Sequence, residues 1–243
     1  MTFGATFGRV FSPTFHPKSQ VVGGGFLPTD ITGCLLWYDF SDADTLFTDA
    51  GSTKVANDGD LIYRANDKSG NNKHVEQPTE ADRPSYKKSV KNGLSSILMP
   101  GTLEGRLYNS TFYSQSLPVT IIFFITTTNT NGVHFDFGKN VWSFRLNTSI
   151  YNGAYLNSGG TFSGNLVTCI VNTTTQFYIN GVTKNSGNAG TFSGYRQSIG
   201  NRYPGETSPT YGYYHELLVY NSALSDTDRG KVETYLNNKW AIY

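Results

Sequence analysis

Tyr213 to Tyr220, Tyr-Tyr-His-Glu-Leu-Leu-Val-Tyr, is apolar or aromatic at nearly every position, with a single carboxylate, Glu216, inside it. A run of that length, rich in aromatic, leucine and β-branched side chains, predicts a strand covered on both faces. The period then changes. Ser225 stands where a helix N-cap belongs, Asp226 and Asp228 fall in the first turn, and Val232, Tyr235, Leu236 and Trp240 follow at helical spacing. One surface helix with one apolar face is therefore predicted after the strand.

Elsewhere, short apolar or alternating segments between polar turns predict strands over 35–40, 61–65, 96–99, 118–127, 133–137, 141–146, 149–155, 165–171, 175–180, 182–185, 196–201 and 213–220. Asn180-Gly181 lies between two of them, and both residues tolerate positive φ, so a tight hairpin is expected there. Regular short strands of this kind predict an all-β fold, a two-sheet antiparallel sandwich. Its core is expected to draw on Trp37, Ile122, Phe124, Trp142, Phe144, Val167, Ile170, Phe177, Leu217 and Val219.

Three stretches carry a family resemblance. Leu35-Leu36-Trp37-Tyr38-Asp39-Phe40 looks like an opening strand. Asn66-Asp67-Lys68-Ser69-Gly70-Asn71-Asn72, with Asp82-Arg83-Pro84-Ser85-Tyr86 after it, looks like an Asp-x-Ser-Gly-Asn turn followed by an Arg-Pro-x-Tyr segment. The third is the closing strand and helix up to Trp240. Together they resemble the concanavalin A-like, laminin-G-like jelly roll in the version common among bacteriophage structural proteins. The resemblance departs from the family at Tyr63 and Arg64, where a Trp is usual. It implies a jelly roll over residues 31–243. It does not choose a function, because lectins, hydrolases, adhesion modules and structural domains share the fold.

Composition narrows the choice. Phe and Tyr number 16 each and charged residues make up only 15% of the 243, which suits a turn-rich β-domain and argues against disorder. A net charge of +1, with no basic stripe, argues against nucleic acid or an anionic membrane as partner. The longest apolar run, Val119 to Ile125, is too short to cross a bilayer. The N-terminus shows no charged region followed by an apolar core, so no secretory signal is expected. Cys34 and Cys169 each sit in an apolar segment and read as two buried free thiols.

Residues 1–30 differ from the rest. Phe3, Phe7, Phe11 and Phe15 recur at near-regular spacing, prolines interrupt any helix, and Gly23-Gly24-Gly25 forms a hinge. Such a segment has no partner element of its own. It is expected to be an extended anchoring arm whose phenylalanines fill pockets on a neighbouring protein.

Candidate chemistry is sparse. Glu76 and Glu80 form the nearest approach to a glycosidase carboxylate pair, but Pro78 lies between them and the middle carboxylate of the superfamily's glucanases is missing. Glu216 is either an acid with raised pKa, or a strand residue that faces the polar side or bonds a neighbouring loop, and the resemblance implies an acidic residue here without a catalytic role. Asp39, Asp42 and Asp44 cluster as a calcium site would, without an EF-hand pattern. Tyr195, Arg196, Asn201, Arg202, Tyr203, Tyr211 and Tyr213 form the richest loop neighbourhood of aromatic and hydrogen-bonding side chains. They suit a glycan site or a subunit contact equally. No cofactor and no enzyme activity are expected. What the resemblance implies is a bacteriophage virion protein, homo-oligomeric and displayed on the particle surface. Its arm would be joined to a capsid or tail protein. Capsid decoration is the leading role, and tail-borne recognition of host glycan is the alternative.

Overall fold

The computed structural model describes residues 25–128, 131–137, 143–145, 148–151, 155–188, 190, 195–202 and 208–243. The four arm phenylalanines, Trp142 and Tyr203 lie outside the described residues, as does the side chain of Tyr195.

In chain order the strands are β1 (Cys34–Asp39), β2 (Leu46–Phe47), β3 (Arg64–Ala65), β4 (Val75–Glu76), β5 (Ser85–Lys91), β6 (Leu94–Pro100), β7 (Leu107–Tyr113), β8 (Val119–Thr127) and β9 (Val133–Asp136). They continue as β10 (Ser143–Arg145), β11 (Ser149–Tyr151), β12 (Tyr155–Asn157), β13 (Leu166–Val171), β14 (Thr175–Ile179), β15 (Val182–Gly187), β16 (Tyr195–Ile199) and β17 (Tyr211–Tyr220), before the helix α1 (Asp226–Trp240). An eight-stranded sheet runs β15-β14-β13-β8-β17-β6-β5, with β1 also paired to β17. A nine-stranded sheet runs β12-β11-β10-β9-β16-β7-β4-β3-β2. The pairings are antiparallel throughout, and the fold is a concanavalin A-like jelly roll.

The core divides into two layers. Between the sheets lie Leu36, Tyr38, Ile121, Phe123, Ile125, Phe135, Phe144, Val167, Phe177, Leu217 and Val219. Under the helix lie Trp37, Ile122, Phe124, Leu218, Tyr220, Val232, Leu236 and Trp240. Neighbouring residues on one strand point to opposite faces, so β8 and β17 are apolar at successive positions because each face meets its own layer. The expected single core is corrected accordingly: Trp37, Ile122 and Phe124 belong to the helix layer, and Ile170 is buried in neither.

The helix begins as its sequence implies. Ser225 Oγ accepts the Asp228 N–H at 3.1 Å, and Ala241, in the left-handed region at φ 48°, ends it. Asn180 and Gly181 take φ 51° and 74° in the β14–β15 hairpin, the backbone of a type I′ turn. The Asp67 loop holds the start of β1: Asp67 Oδ1 accepts the Trp37 N–H at 3.0 Å, and Asn71 Nδ2 donates to Cys34 O at 2.9 Å.

Three departures have local causes. The segment 149–155 forms two strands rather than one, because Tyr151 and Tyr155 pair across a reversal of the chain. Strands β5 and β7 escape the sequence pattern because their outward positions are lysine, serine, asparagine and threonine. Within the stretch expected as an arm, the described end packs on the domain: Pro28 is buried and its carbonyl accepts the Tyr220 hydroxyl at 3.1 Å, while the Phe26 ring meets Tyr235 edge-on at 6.2 Å.

Candidate functional site

The helix covers the outer face of the eight-stranded sheet, so the outer face of the nine-stranded sheet is the one left for a ligand. Its register places one residue from each strand in a single cross-strand row: Phe47, Arg64, Glu76, Tyr108, Ser198, Asp136, Ser143, Tyr151 and Tyr155. The next row inward carries Leu46, Ala65, Val75, Leu107, Ile199, Phe135, Phe144, Ile150 and Leu156, and all of these but Leu156 are buried. The period of two that buries one row turns the other outward.

The row is not uniformly open. Ser198, Asp136 and Ser143 in its middle are buried. An open groove of about 320 Å³ lies to one side, lined by Arg64, Asn72, His74, Glu76, Tyr108 and Asn109 among others. On the other side is an aromatic surface: Tyr151 and Tyr155 have ring centroids 4.8 Å apart, and the Arg145 guanidinium lies 4.2 Å over Tyr151. Tyr155 is 56% exposed.

Short-range bonds set the groove's chemistry. Arg64 Nη1 lies 3.6 Å from Glu76 Oε1. The Arg64 Nε donates to Asn66 Oδ1 at 2.8 Å, and Nη1 donates to Ala50 O at 2.9 Å, which fixes the guanidinium from behind. His74 Nδ1 accepts the Asp67 N–H at 3.0 Å. Burial, and then the charge of Arg64, hold the His74 pKa below the usual imidazole range. The Asn109 amide is fully engaged, its Nδ2 donating to His74 O at 2.7 Å and its Oδ1 accepting the Thr111 N–H at 2.9 Å.

Of the loop residues singled out in the sequence, Tyr195 and Arg196 lie on β16 of this same sheet but do not line the groove, and Asn201, Arg202 and Tyr211 lie off that sheet's strands. Asn201 is fully buried. Its Oδ1 accepts the N–H groups of Arg202 and Ser208, and its Nδ2 donates to Leu103 O at 2.8 Å. It is a loop clasp, a correction to its reading as a sugar contact, because a side chain with no exposed surface, bonded to backbone through both its oxygen and its nitrogen, is out of a ligand's reach. The Arg202 carbonyl accepts from the buried Arg106 at 2.7 Å. Arg196 N–H donates to Phe137 O at 2.9 Å. Tyr211 starts β17 on the other sheet and is 48% exposed, so it does not share a face with the groove. Sequence reasoning missed His74 and Tyr108. The signal for His74 lies in the alternation His74-Val75-Glu76, which matches Arg64-Ala65 on the paired strand.

The aspartate cluster is also corrected. Lys68 Nζ sits between Asp39 at 3.2 Å and Asp42 at 2.6 Å, and Asp44 pairs with Lys54 at 2.8 Å. An ammonium occupies the position between the first two carboxylates, and the third is engaged elsewhere. Among the described residues no group of three His, Cys, Asp or Glu side chains is placed to hold a metal ion. Glu76 and Glu80 do not form a facing pair either: Glu76 is on β4 beside Arg64, and Glu80 opens a 3-10 turn. Cys34 and Cys169 are buried free thiols, and burial pushes the Cys34 pKa up to about 12.

No curated protein sequence matches the chain. Residues 112–228 match the family model Laminin_G_3, described as the concanavalin A-like lectin/glucanases superfamily. Among solved structures, the binding domain of Paraclostridial Mosquitocidal Protein 1 is similar at 15% identity and TM-score 0.52, over 88% of this chain and 53% of that one. The ligand-binding domain of botulinum neurotoxin serotype D, solved in complex with N-acetylneuraminic acid, is similar at 13% identity and TM-score 0.50, over 84% of this chain and 51% of that one. Domain 4 of AbnA, a GH43 extracellular arabinanase from Geobacillus stearothermophilus solved with arabinotriose, has 16% identity and TM-score 0.46, over 81% of this chain and 96% of that one. The chain spans about half the length of the toxin binding domains it matches. At such identities the likeness is one of fold. The two-sheet sandwich with its closing helix has the concanavalin A-like jelly-roll fold, and residues 112–228 carry the match to that family model.

Proposed function

We propose that this domain is a non-catalytic glycan-recognition module that reads sugar on the outer face of its nine-stranded sheet. The observation that carries the reading is the in-register placement of Arg64, Glu76 and Tyr108 on adjoining strands around an open groove. A few polar groups fixed on rigid strands beside an aromatic ring are what orienting a hydroxylated ligand requires. The Tyr151–Tyr155 surface on the same sheet supplies ring faces on which a sugar can stack. A similarly folded domain solved with N-acetylneuraminic acid supports sugar recognition by this fold and has no bearing on the class of sugar this groove takes. The non-catalytic reading is supported by Glu76, which has an arginine beside it where a retaining or inverting glycosidase needs a second carboxylate.

The wider setting is a bacteriophage virion, with this domain on the particle surface and its N-terminal phenylalanine-bearing segment joining it to a capsid or tail protein. That setting rests on the three-motif resemblance. Capsid decoration is its leading form. Recognition of a host glycan from the tail gains from the fold's likeness to toxin binding domains.

A glycan array probed with the wild-type domain and with Tyr108→Ala tests the recognition reading. Wild type is expected to bind, and Tyr108→Ala to lose about tenfold or more, in keeping with the loss of one stacked aromatic. Full binding by the variant would move the site off the groove, and silence from the wild type across the array would end the reading. Antibody labelling of assembled particles tests the setting: head labelling supports decoration, tail labelling supports receptor binding, and no labelling removes both.

A further inference from the structure

Resting on the recognition reading above, we propose that the Arg64–Glu76 groove selects neutral, hydroxyl-rich sugars and rejects sugars that carry a carboxylate. The argument starts from the donors that remain. A guanidinium captures a carboxylate strongly only when two parallel N–H groups on one edge are free. In Arg64 the Nε–H is given to Asn66 Oδ1, one Nη1–H is given to Ala50 O, and Nη1 also faces Glu76. Each edge of the fork therefore already has at least one engaged nitrogen, and a ligand can expect single donors from Nη2 alone.

Glu76 adds the second half. It places a carboxylate in the groove wall, 40% exposed, where an acidic ligand would meet like charge. The same oxygens accept well from sugar hydroxyls, which are donors and acceptors at once. His74 completes the set. Because Nδ1 accepts from the Asp67 backbone, a neutral ring carries its proton on Nε2, and that is a donor suited to a sugar oxygen. Arg64 and Glu76 balance in charge, so the groove has hydrogen-bonding capacity of both kinds and no net attraction for an anion.

The test is titration calorimetry with named probes. Cellotetraose and maltotetraose are the neutral ones, and 3′-sialyllactose and tetragalacturonate the acidic ones. Each is titrated into the wild-type chain and into Glu76→Gln. Wild type is expected to bind a neutral probe at least about tenfold more tightly than either acidic one, the scale of one like-charge contact near a surface. Glu76→Gln keeps the side-chain shape and removes the charge, so it should narrow that ratio by about tenfold, with unchanged thermal unfolding as the control for folding. Tighter binding of an acidic probe by wild type, or a ratio that Glu76→Gln leaves unaltered, overturns the selectivity while leaving glycan recognition standing. Failure of all four probes together with silence on the glycan array overturns both.

Discussion

Trp37 on the first strand and Trp240 at the end of the helix donate their indole N–H groups to the two oxygens of one carboxylate, Glu216, each at 2.8 Å. Lys239 adds a third donor, at 2.8 Å from Glu216 Oε2, and also reaches Asp39 at 2.6 Å. Asp39 in turn meets Lys68, which meets Asp42. An alternating series of charges thus runs from beneath the helix to the loop that follows β1. Burial and then the nearby Asp39 raise the Glu216 pKa, against the pull of Lys239 and Trp240. For Asp39, burial is outweighed by Lys239 and Lys68, and its pKa lies below the usual carboxylate range. Glu216 is therefore a buried polar tie between the helix and its sheet, and it has no face toward the groove.

Removing that carboxylate should be severe. Glu216→Ala leaves two indole donors without their acceptor in a buried site and takes from Lys239 one of its two carboxylate partners, and a loss of about 3–5 kcal/mol is expected. Urea unfolding followed by tryptophan fluorescence measures it. A loss under about 1 kcal/mol would mean that the helix is held by its apolar face alone.

The buried histidines predict acid sensitivity. His134 is held at about 3 by burial, and His215 at about 3 by burial and then by Lys91. The unfolded chain takes up these protons near 6.5 and the folded chain only near 3, so the unfolded state binds more protons between those values. Stability is then complete above about pH 6.5 and declines as pH falls toward 3. Glu216, with its raised pKa, works in the opposite sense and softens the slope. A drop of roughly 2–4 kcal/mol between pH 7.5 and pH 5 is expected from the two rings. Urea midpoints at the two pH values decide it, and equal midpoints would show that the rings are not held neutral.

Asn201→Ala separates a structural role from a binding role. The substitution removes the acceptor for Arg202 N–H and Ser208 N–H and the donor to Leu103 O. A stability loss of about 1–3 kcal/mol is expected from buried groups left unpaired. Glycan affinity at the groove should stay within about twofold, since the groove and this loop share no residue. Lost affinity with unchanged unfolding would return Asn201 to the list of sugar contacts.

The helix cap offers a milder probe. Ser225→Ala deletes the acceptor for the Asp228 N–H and should lower stability by about 1 kcal/mol. Hydrogen exchange should quicken in the first turn of α1 before it quickens in β17. Uniform acceleration through both would mean that helix and strand open as one unit.

Much of this architecture is determined by the sequence itself. A strand apolar at successive positions needs cover on both sides, and Tyr213–Tyr220 followed by a Ser225-capped amphipathic segment already contains strand, cover and cap. Asn180-Gly181 determines its hairpin because both residues accept positive φ. The Asp67 turn is legible because Asp67 accepts locally from Ser69 and Lys73, although its grip on the distant strand β1 appears only in the fold. The functional face is different in kind. Arg64, Glu76 and Tyr108 come from three strands, two of them only two residues long, and their alignment follows from sheet register. The groove's chemistry depends further on the Arg64 donors that Asn66 and Ala50 have already engaged and on the His74 acceptor that Asp67 has engaged. Asn201 looks like a ligand contact in the sequence because polar loop residues are common to binding sites and to loop clasps, and only burial distinguishes the two. Local periodicity and turn chemistry act over a few residues and can be read along the chain. Pairing between distant strands, and the occupancy of each hydrogen-bonding atom, exist only once the sheets have closed.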